Sequence, residues 1–514
     1  MPDFNANFQY VANDGRITHE SDCRVEFDAE TFTVSSDSGA PISFDLGDID
    51  AVTRDPGQIR LKLYTGRTVV IRALGTAYER FSRDLLEAYR DRMAECLLVA
   101  VLKELSRFNG TFEMGRRETC RACGARTRGT KFCTECGTAL KPAKAQSVCP
   151  SCGTAVEGKF CPECGKPASS ESRVGQGGDV EFRLYESNLA IIPATSQAFQ
   201  WRLADIDAIH FEANSYEVLL DSGDLSLKVA GLGKRTADFA SRVREAVRNV
   251  ASASARAIRR SFPFLNPDEL QAIATILREG RSVPVAKLMA VHSRMQRGVS
   301  NVAVDKELEP YYDELTRLSS GELLYAGFKL IRPEEQREAE PDTSLNDEEV
   351  SEESILENAE EVEVEEEASS ESNTDDLDTL YWFFFPIAKR PGSKELANVV
   401  AWEASSRSGR ATYFFRIVKP EQAARLASAD GRALLESSIR TLNNAFAILN
   451  FKRRPIYLSD DDLQGDARFR RYAIAARRIP ELREIRALFL GRAIHSSFEA
   501  WKTQVSGIIA KAGM

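Results

Sequence analysis

Short alternations of apolar and polar residues mark the first part of the chain. Val25–Phe27, Phe32–Val34, Ile42–Leu46, Ile49–Thr53, Ile59–Tyr64 and Thr68–Ile71 alternate in this way and are separated by Gly, Asp, Ser or Pro turns. That is the pattern of half-buried strands. After Gly75 the period changes. Phe81, Leu85, Tyr89 and Met93 fall four residues apart, which predicts a helix laying one apolar stripe on the sheet.

The same pattern returns further along. Val25-Glu26-Phe27 matches Val180-Glu181-Phe182, and Phe44-Asp45-Leu46-Gly47-Asp48-Ile49-Asp50 matches Trp201-Arg202-Leu203-Ala204-Asp205-Ile206-Asp207. The offset stays at 155–158 through Leu74-Gly75 and Leu232-Gly233, and Phe239 and Val243 continue the helical stripe. A constant offset over this length predicts a duplicated domain. A strongly bent sheet capped by one C-terminal helix resembles the pleckstrin-homology or GRAM-like fold. The resemblance implies a module that binds lipids, peptides or other domains. A lipid site would want Lys and Arg in the first strand-to-strand loop, and Asp28-Ala29-Glu30 and Glu186-Ser187-Asn188 supply none. Protein partners are therefore expected, and lipid headgroups are not.

From residue 253 to 320 the pattern is helical. Asn266-Pro267-Asp268-Glu269 combines an N-cap, Pro at the first helical position and first-turn acids, and it opens a helix through Leu270 and Ile273. Further helices are expected over Pro284–Met295 and Lys306–Leu318. Strands then follow at about 322–331, 380–388, 398–404 and 411–418, with helices to the end. Tyr381-Trp382-Phe383-Phe384-Phe385 reads as a buried strand, with a partner groove as the alternative.

Eight cysteines form four Cys-x-x-Cys pairs: Cys120 and Cys123, Cys133 and Cys136, Cys149 and Cys152, Cys161 and Cys164. Two thiolates two residues apart can grip one tetrahedral Zn²⁺ from a tight turn. Glycine follows every pair and supplies a positive-φ position. Lys131-Phe132-Cys133-Thr134-Glu135-Cys136-Gly137 also matches Lys159-Phe160-Cys161-Pro162-Glu163-Cys164-Gly165. That repeat points to two sequential structural Cys₄ sites, the first four cysteines holding one ion and the last four the other. A cross-braced arrangement like that of RING-type modules is the alternative. The pattern resembles the double zinc ribbon module over about residues 117–168. The resemblance implies structural zinc serving protein interaction or, less often, nucleic-acid contact.

The fold class that emerges is an α+β multidomain chain. Its expected units are a sheet domain with a C-terminal helix (1–113), two zinc ribbons (114–173), a second sheet domain (174–252) and a helical segment (253–320). An acidic loop or linker (334–378) then interrupts a basic α+β domain (321–333 with 379–514). The length of 514 residues suits several domains.

Charge changes this picture in two places. Residues 334–378 carry 1 basic and 21 acidic residues, too much self-repulsion and too little apolar surface for a packed core, so disorder is expected. Residues 379–514 carry 23 basic and 12 acidic residues. There Lys452, Arg453, Arg454, Arg470, Arg471, Arg477 and Arg478 are candidates for binding an anion, with a solvated face as the plain alternative. The ribbon block carries 11 basic and 5 acidic residues, but two loaded Zn(Cys)₄ centres would cut its formal excess to about +2.

No apolar run is long enough for a membrane-spanning helix. Nothing near Met1 reads as a secretory leader, so a cytoplasmic protein is expected. His19, His210, His292 and His495 are scattered, and Gly231-Leu232-Gly233-Lys234 lacks P-loop spacing. Cys23 and Cys96 are expected as buried thiols. The sequence therefore points to a non-enzymatic, zinc-binding scaffold or adaptor acting through protein contacts in a larger assembly. The alternative is a nucleic-acid-binding component that uses the basic C-terminal domain, gated by the acidic segment.

Overall fold

The computed structural model describes residues 3–36, 40–119, 126–128, 136–138, 147–148, 155–156, 176–223, 225–303, 308–331, 379–389, 396–405, 411–417, 429–449 and 452–512. Among these residues the chain builds three large antiparallel sheets, each packed with helices, and one small two-stranded sheet.

The first sheet contains β1 (Asp3–Val11), β2 (Ile17–Phe27), β3 (Thr31–Ser36), β4 (Ile42–Asp45), β5 (Ile49–Asp55), β6 (Gln58–Leu63) and β7 (Thr68–Arg72). Its order is β4-β3-β2-β1-β7-β6-β5. β4 and β5 stand at opposite edges, yet only the 3-10 turn Leu46–Asp48 joins them. A flat sheet of seven strands would be roughly 29 Å wide, whereas this bridge reaches at most about 14 Å. The sheet must bend until its edges approach. The helix α1 (Tyr78–Cys96) packs into the bend, and Phe81, Leu85, Tyr89 and Met93 are fully buried as their spacing predicts.

The second sheet repeats this topology. This part of the chain contains β8 (Glu104–Thr119), β9 (Arg126–Arg128), β10 (Ser147–Val148), β11 (Ala155–Val156), β12 (Gly177–Tyr185), β13 (Asn188–Pro193), β14 (Phe199–Arg202), β15 (Ala208–Glu212), β16 (Glu217–Ser222) and β17 (Leu225–Ala230). The main order is β14-β13-β12-β8-β17-β16-β15, with β9 paired to β8 and β10–β11 forming a separate hairpin. The boundary expected at residue 113 falls inside β8. Glu113 pairs with Gly177 of β12 and with Lys228 of β17, so 104–119 belongs to the second copy. The cysteine block is thus an insertion between two neighbouring strands of that copy.

α2 (Thr236–Ser261) links two units. Phe239, Val243 and Val250 enter the core of the second sheet, and Ala257 and Ile258 enter the next core. That next unit is built on β18 (Val283–Pro284), β19 (Ser319–Ile331), β20 (Thr379–Lys389), β21 (Leu396–Ser405), β22 (Ala411–Arg416) and β23 (Phe489–Ile494), paired in sequence order. Phe262, Ile273, Leu277 and Leu288 pack with Phe328 and Leu330 of β19. The segment 253–320 is therefore not a separate helical unit, because its apolar faces are completed by this sheet. Asn266 does cap its helix Pro267–Ile276, in a reciprocal capping box with Glu269.

On one face of the third sheet, Val399, Ala401 and Phe414 meet Trp501, Val505 and Ile509 of the helix Phe498–Ala512. On the other, Trp402 stacks on Phe446 at 3.8 Å, and this core runs on into that of the first sheet. The expected acidic run, 334–378, lies outside the described residues. The strands on either side of it are paired, Ile331 standing opposite Thr379. No helix among the described residues is long and apolar enough to cross a membrane.

Candidate functional site

Of the eight metal-type cysteines, Cys136 is described and exposed, whereas Cys120, Cys123, Cys133, Cys149, Cys152, Cys161 and Cys164 lie outside the described residues. Cys136 Sγ stands 3.2 Å from Thr138 Oγ1. Gly137 follows at φ +69°, the left-handed position that a turn after Cys-x-x-Cys requires. The backbone also closes alike around the first pair of each ribbon. Thr119 pairs with Arg126 and Val148 with Ala155, so each pairing encloses six residues, 120–125 and 149–154, with Cys at the first and fourth places. Equal hairpins on equal spacing fit the sequence repeat of two like ribbons. Four thiolates would fill a tetrahedral Zn²⁺ shell, a kind of site in which the metal supplies folding energy and no position is open to a reacting water.

The second cluster of charged groups lies where the first sheet meets the C-terminal helices. Its floor is the turn Asp45-Leu46-Gly47-Asp48. Asp45 is buried and accepts from Arg92 Nε (3.0 Å) and Nη2 (2.7 Å), from the Gly47 amide (2.7 Å) and from Arg470 Nε (3.2 Å). Asp48 accepts from Arg477 Nη2, whose guanidinium also lies 3.9 Å from the Tyr64 ring centroid. Arg478 is buried and donates to the carbonyls of Gly47 (2.8 Å) and Ile49 (2.6 Å), with Asp50 at 3.3 Å. Burial opposes ionisation of Asp45, but hydrogen bonds from Arg92 and the Gly47 amide outweigh it and hold the carboxyl below its ordinary value. Asp48 goes the other way, pushed up chiefly by burial, with the neighbouring Asp45 charge adding to it.

The second copy uses the same turn on the same partner with opposite charge. Arg202, at the place of Asp45, donates to Asp205 (2.8 Å), to the Gly280 carbonyl and to Asn444 Oδ1 (2.9 Å) of the helix Ala429–Leu449. Both repeat turns therefore dock on the third unit, one through acids and one through an arginine. Sequence reasoning missed this role. Its only trace was the repeat alignment itself, in which Asp45 faces Arg202.

Arg470, Arg477 and Arg478 are thus engaged within the chain. Lys452, Arg453, Arg454 and Arg471 are engaged too, half-buried beside aromatic rings: Tyr472 for Lys452 and Arg471, whose Nη2 also donates to the Tyr472 hydroxyl (3.1 Å), Tyr413 for Arg453, and Phe469 for Arg454. His495 Nε2 meets Thr412 Oγ1 at 2.9 Å, and His292 Nδ1 accepts from the Arg294 amide. Cys23 and Cys96 are buried, as expected.

Residues 120–165 match the double zinc ribbon family. No curated protein matches the chain.

Proposed function

We propose that the chain is a non-enzymatic zinc-binding scaffold or adaptor that meets protein partners through ribbons displayed from its second sheet domain. The observation that carries this reading is where the ribbons are inserted. In the first copy, five residues, 12–16, close the hairpin between the first two strands. In the second, the strands at the same place in the sheet are β8 and β12, and the whole ribbon block lies between them. A fold that closes with a five-residue turn does not need a zinc module for its own core, so the module is there to face something else. The bent sheets, each with one helix, support the pleckstrin-homology or GRAM-like reading of the host domains. The first hairpin of copy one, Ala12-Asn13-Asp14-Gly15-Arg16, holds one cation, and the block in copy two is nearly neutral once two zinc ions are counted, so protein partners fit better than lipid headgroups.

The test replaces residues 120–175 of the full chain by Ala-Asn-Asp-Gly-Arg and compares proteins co-purifying from the native host, with and without nuclease. Loss of the partners on replacement, with nuclease having no effect, supports the reading. The same partners on both proteins, or their loss on nuclease treatment, overturns it.

A further inference from the structure

The exposed side of α2 changes character along the helix. In its first half Arg242 pairs with Asp238 one turn back, at 2.8 Å, and Glu245 is exposed. After Glu245 the chain has no Asp or Glu until Asp268. Over that stretch Arg248, Arg256, Arg259 and Arg260 are all exposed. At about 3.6 residues per turn, Arg248, Arg256 and Arg259 fall on the side opposite the buried Val243, Val250 and Ala257, with Arg260 on its flank. One helix carries all four, so they form one surface about 18 Å long. Among the described residues, none of the four guanidiniums has a hydrogen bond, an ion pair or an aromatic ring as its partner.

Arg259 and Arg260 stand in the last turn, where cations complement the helix dipole. Arg248 and Arg256 lie outside that turn, where the dipole has faded. Like charges three and four residues apart, as Arg256 is from Arg259 and Arg260, also repel one another. The row therefore calls for a counter-charge from outside the helix.

The chain itself contains one. Residues 334–378 carry 1 basic and 21 acidic residues. The segment leaves β19 after Ile331 and returns to β20 at Thr379, which stands opposite Ile331. Leu330, beside that exit, belongs to the same core as Ala257 and Ile258 of α2. The acidic segment is thus rooted on the core that carries the arginine row. Half of residues 332–378, fully extended, would reach about 75 Å, several times the length of the row. Single exposed ion pairs are weak, but a tethered segment acts at an effective concentration in the mM range, and several pairs can form together. The C-terminal helices offer this segment less, because Arg470, Arg477 and Arg478 are taken up by the first sheet.

We propose that the face of α2 formed by Arg248, Arg256, Arg259 and Arg260 is the docking surface of the acidic segment 334–378 of the same chain. The inference is independent of what the zinc ribbons meet.

The test is zero-length carbodiimide cross-linking of the full chain carrying Arg256→Lys, read by mass spectrometry. The substitution keeps the charge and supplies an amine that can be joined to a carboxylate. At about 50 mM salt the amine at position 256 should be joined to Asp or Glu of 334–378, and at about 500 mM the yield should fall roughly fivefold or more. Adding R248E and R259E to the same chain should lower the low-salt yield by a similar factor. No link from position 256 to 334–378 at low salt overturns the proposal, and so does a yield indifferent to salt or to the reversed charges. In an equal mixture of unlabelled and nitrogen-15 chains, links that join light to heavy peptides would assign the occupant to a second copy and overturn it too. Protection of position 256 by an added mixed-sequence DNA duplex, with no link to the segment in its absence, would overturn it in favour of nucleic acid.

Discussion

Arg478 and Gly47, separated by 431 residues in sequence, are joined by a hydrogen bond of 2.8 Å from the arginine Nε to the glycine carbonyl. A second, of 2.6 Å, runs from Nη2 to the Ile49 carbonyl. One buried guanidinium thus satisfies two backbone acceptors at the turn that connects the edges of the first sheet. Through that turn the first sheet is tied to the third unit.

Arg478→Ala should lower the urea midpoint of the transition reporting the first sheet, at a cost of about 3–5 kcal/mol, because it strands two buried carbonyls and the Asp50 charge. Arg478→Lys should not restore stability. An ammonium is a point donor and cannot span both carbonyls as the planar fork does. A Lys variant with the wild-type midpoint would show that charge alone holds the contact.

Gly47 is fixed by packing and not by backbone conformation. A Cβ there would stand 2.8 Å from Ile474 Cδ1, 2.9 Å from Asp45 Oδ1 and 2.9 Å from Cys96 Sγ. The equivalent residue in the second copy is Ala204, so the turn itself accepts a side chain. Gly47→Ala should destabilise by about 1–3 kcal/mol through overpacking, whereas Ala204→Gly should cost about 0.4–1 kcal/mol through chain entropy. Equal effects in chemical denaturation would contradict a docking role for Gly47.

Some of this was legible in the chain and some was not, for reasons that can be named. The stripe Phe81, Leu85, Tyr89, Met93 and the capping box at Asn266 are local patterns, and the structure reproduces them. The first strand of each repeat was hidden by the insertion. Phe8 lies opposite Ile71 in the first sheet, and Phe112 opposite Val229 in the second. That makes Phe8 and Phe112 equivalents at an offset of 104, against 155–158 for the strands that follow the ribbons. A search at constant offset cannot see both. The docking cluster was hidden by distance along the chain: Arg470 and Asp45 are 425 residues apart, and each reads locally as a solvated charge. The ribbon family was the easiest to read, because its Cys-x-x-Cys pairs are close in sequence and chemically specific, and residues 120–165 match it.

The two aspartates of the docking turn should respond to acid in opposite directions. Asp45 has its carboxyl lowered in the folded chain, so it contributes stability above the unfolded-state value and loses it as pH falls through the lower, folded value. Asp48 is raised, so it takes up its proton first as pH falls, and the folded state gains from that uptake. Asp45→Asn should therefore destabilise at neutral pH and flatten the acid limb of the stability profile below the ordinary aspartate range. Asp48→Asn should be mild at neutral pH. Urea midpoints between pH 3 and 7 would show this, and a steeper acid limb in the Asp45 variant would reverse the assignment.

The ten cysteines should separate into two classes of reactivity. Burial pushes the Cys23 thiol up to about 11, with the Asp22 charge adding to it, and burial pushes Cys96 up to about 12. At pH 8 both are almost wholly protonated, and a thiol attacks an aromatic disulfide only as the thiolate. The eight ribbon cysteines should differ, because zinc would bind them as thiolates and mask them, and a chelator would expose them by unfolding their small modules. Titration with 5,5′-dithiobis(2-nitrobenzoate) should therefore be slow on the zinc-loaded chain. It should reach eight thiols after chelation and ten only in denaturant. Ten reactive thiols in the chelated but undenatured protein would mean that metal loss opens the first sheet as well. In that case the ribbons would not be independent of the fold that carries them.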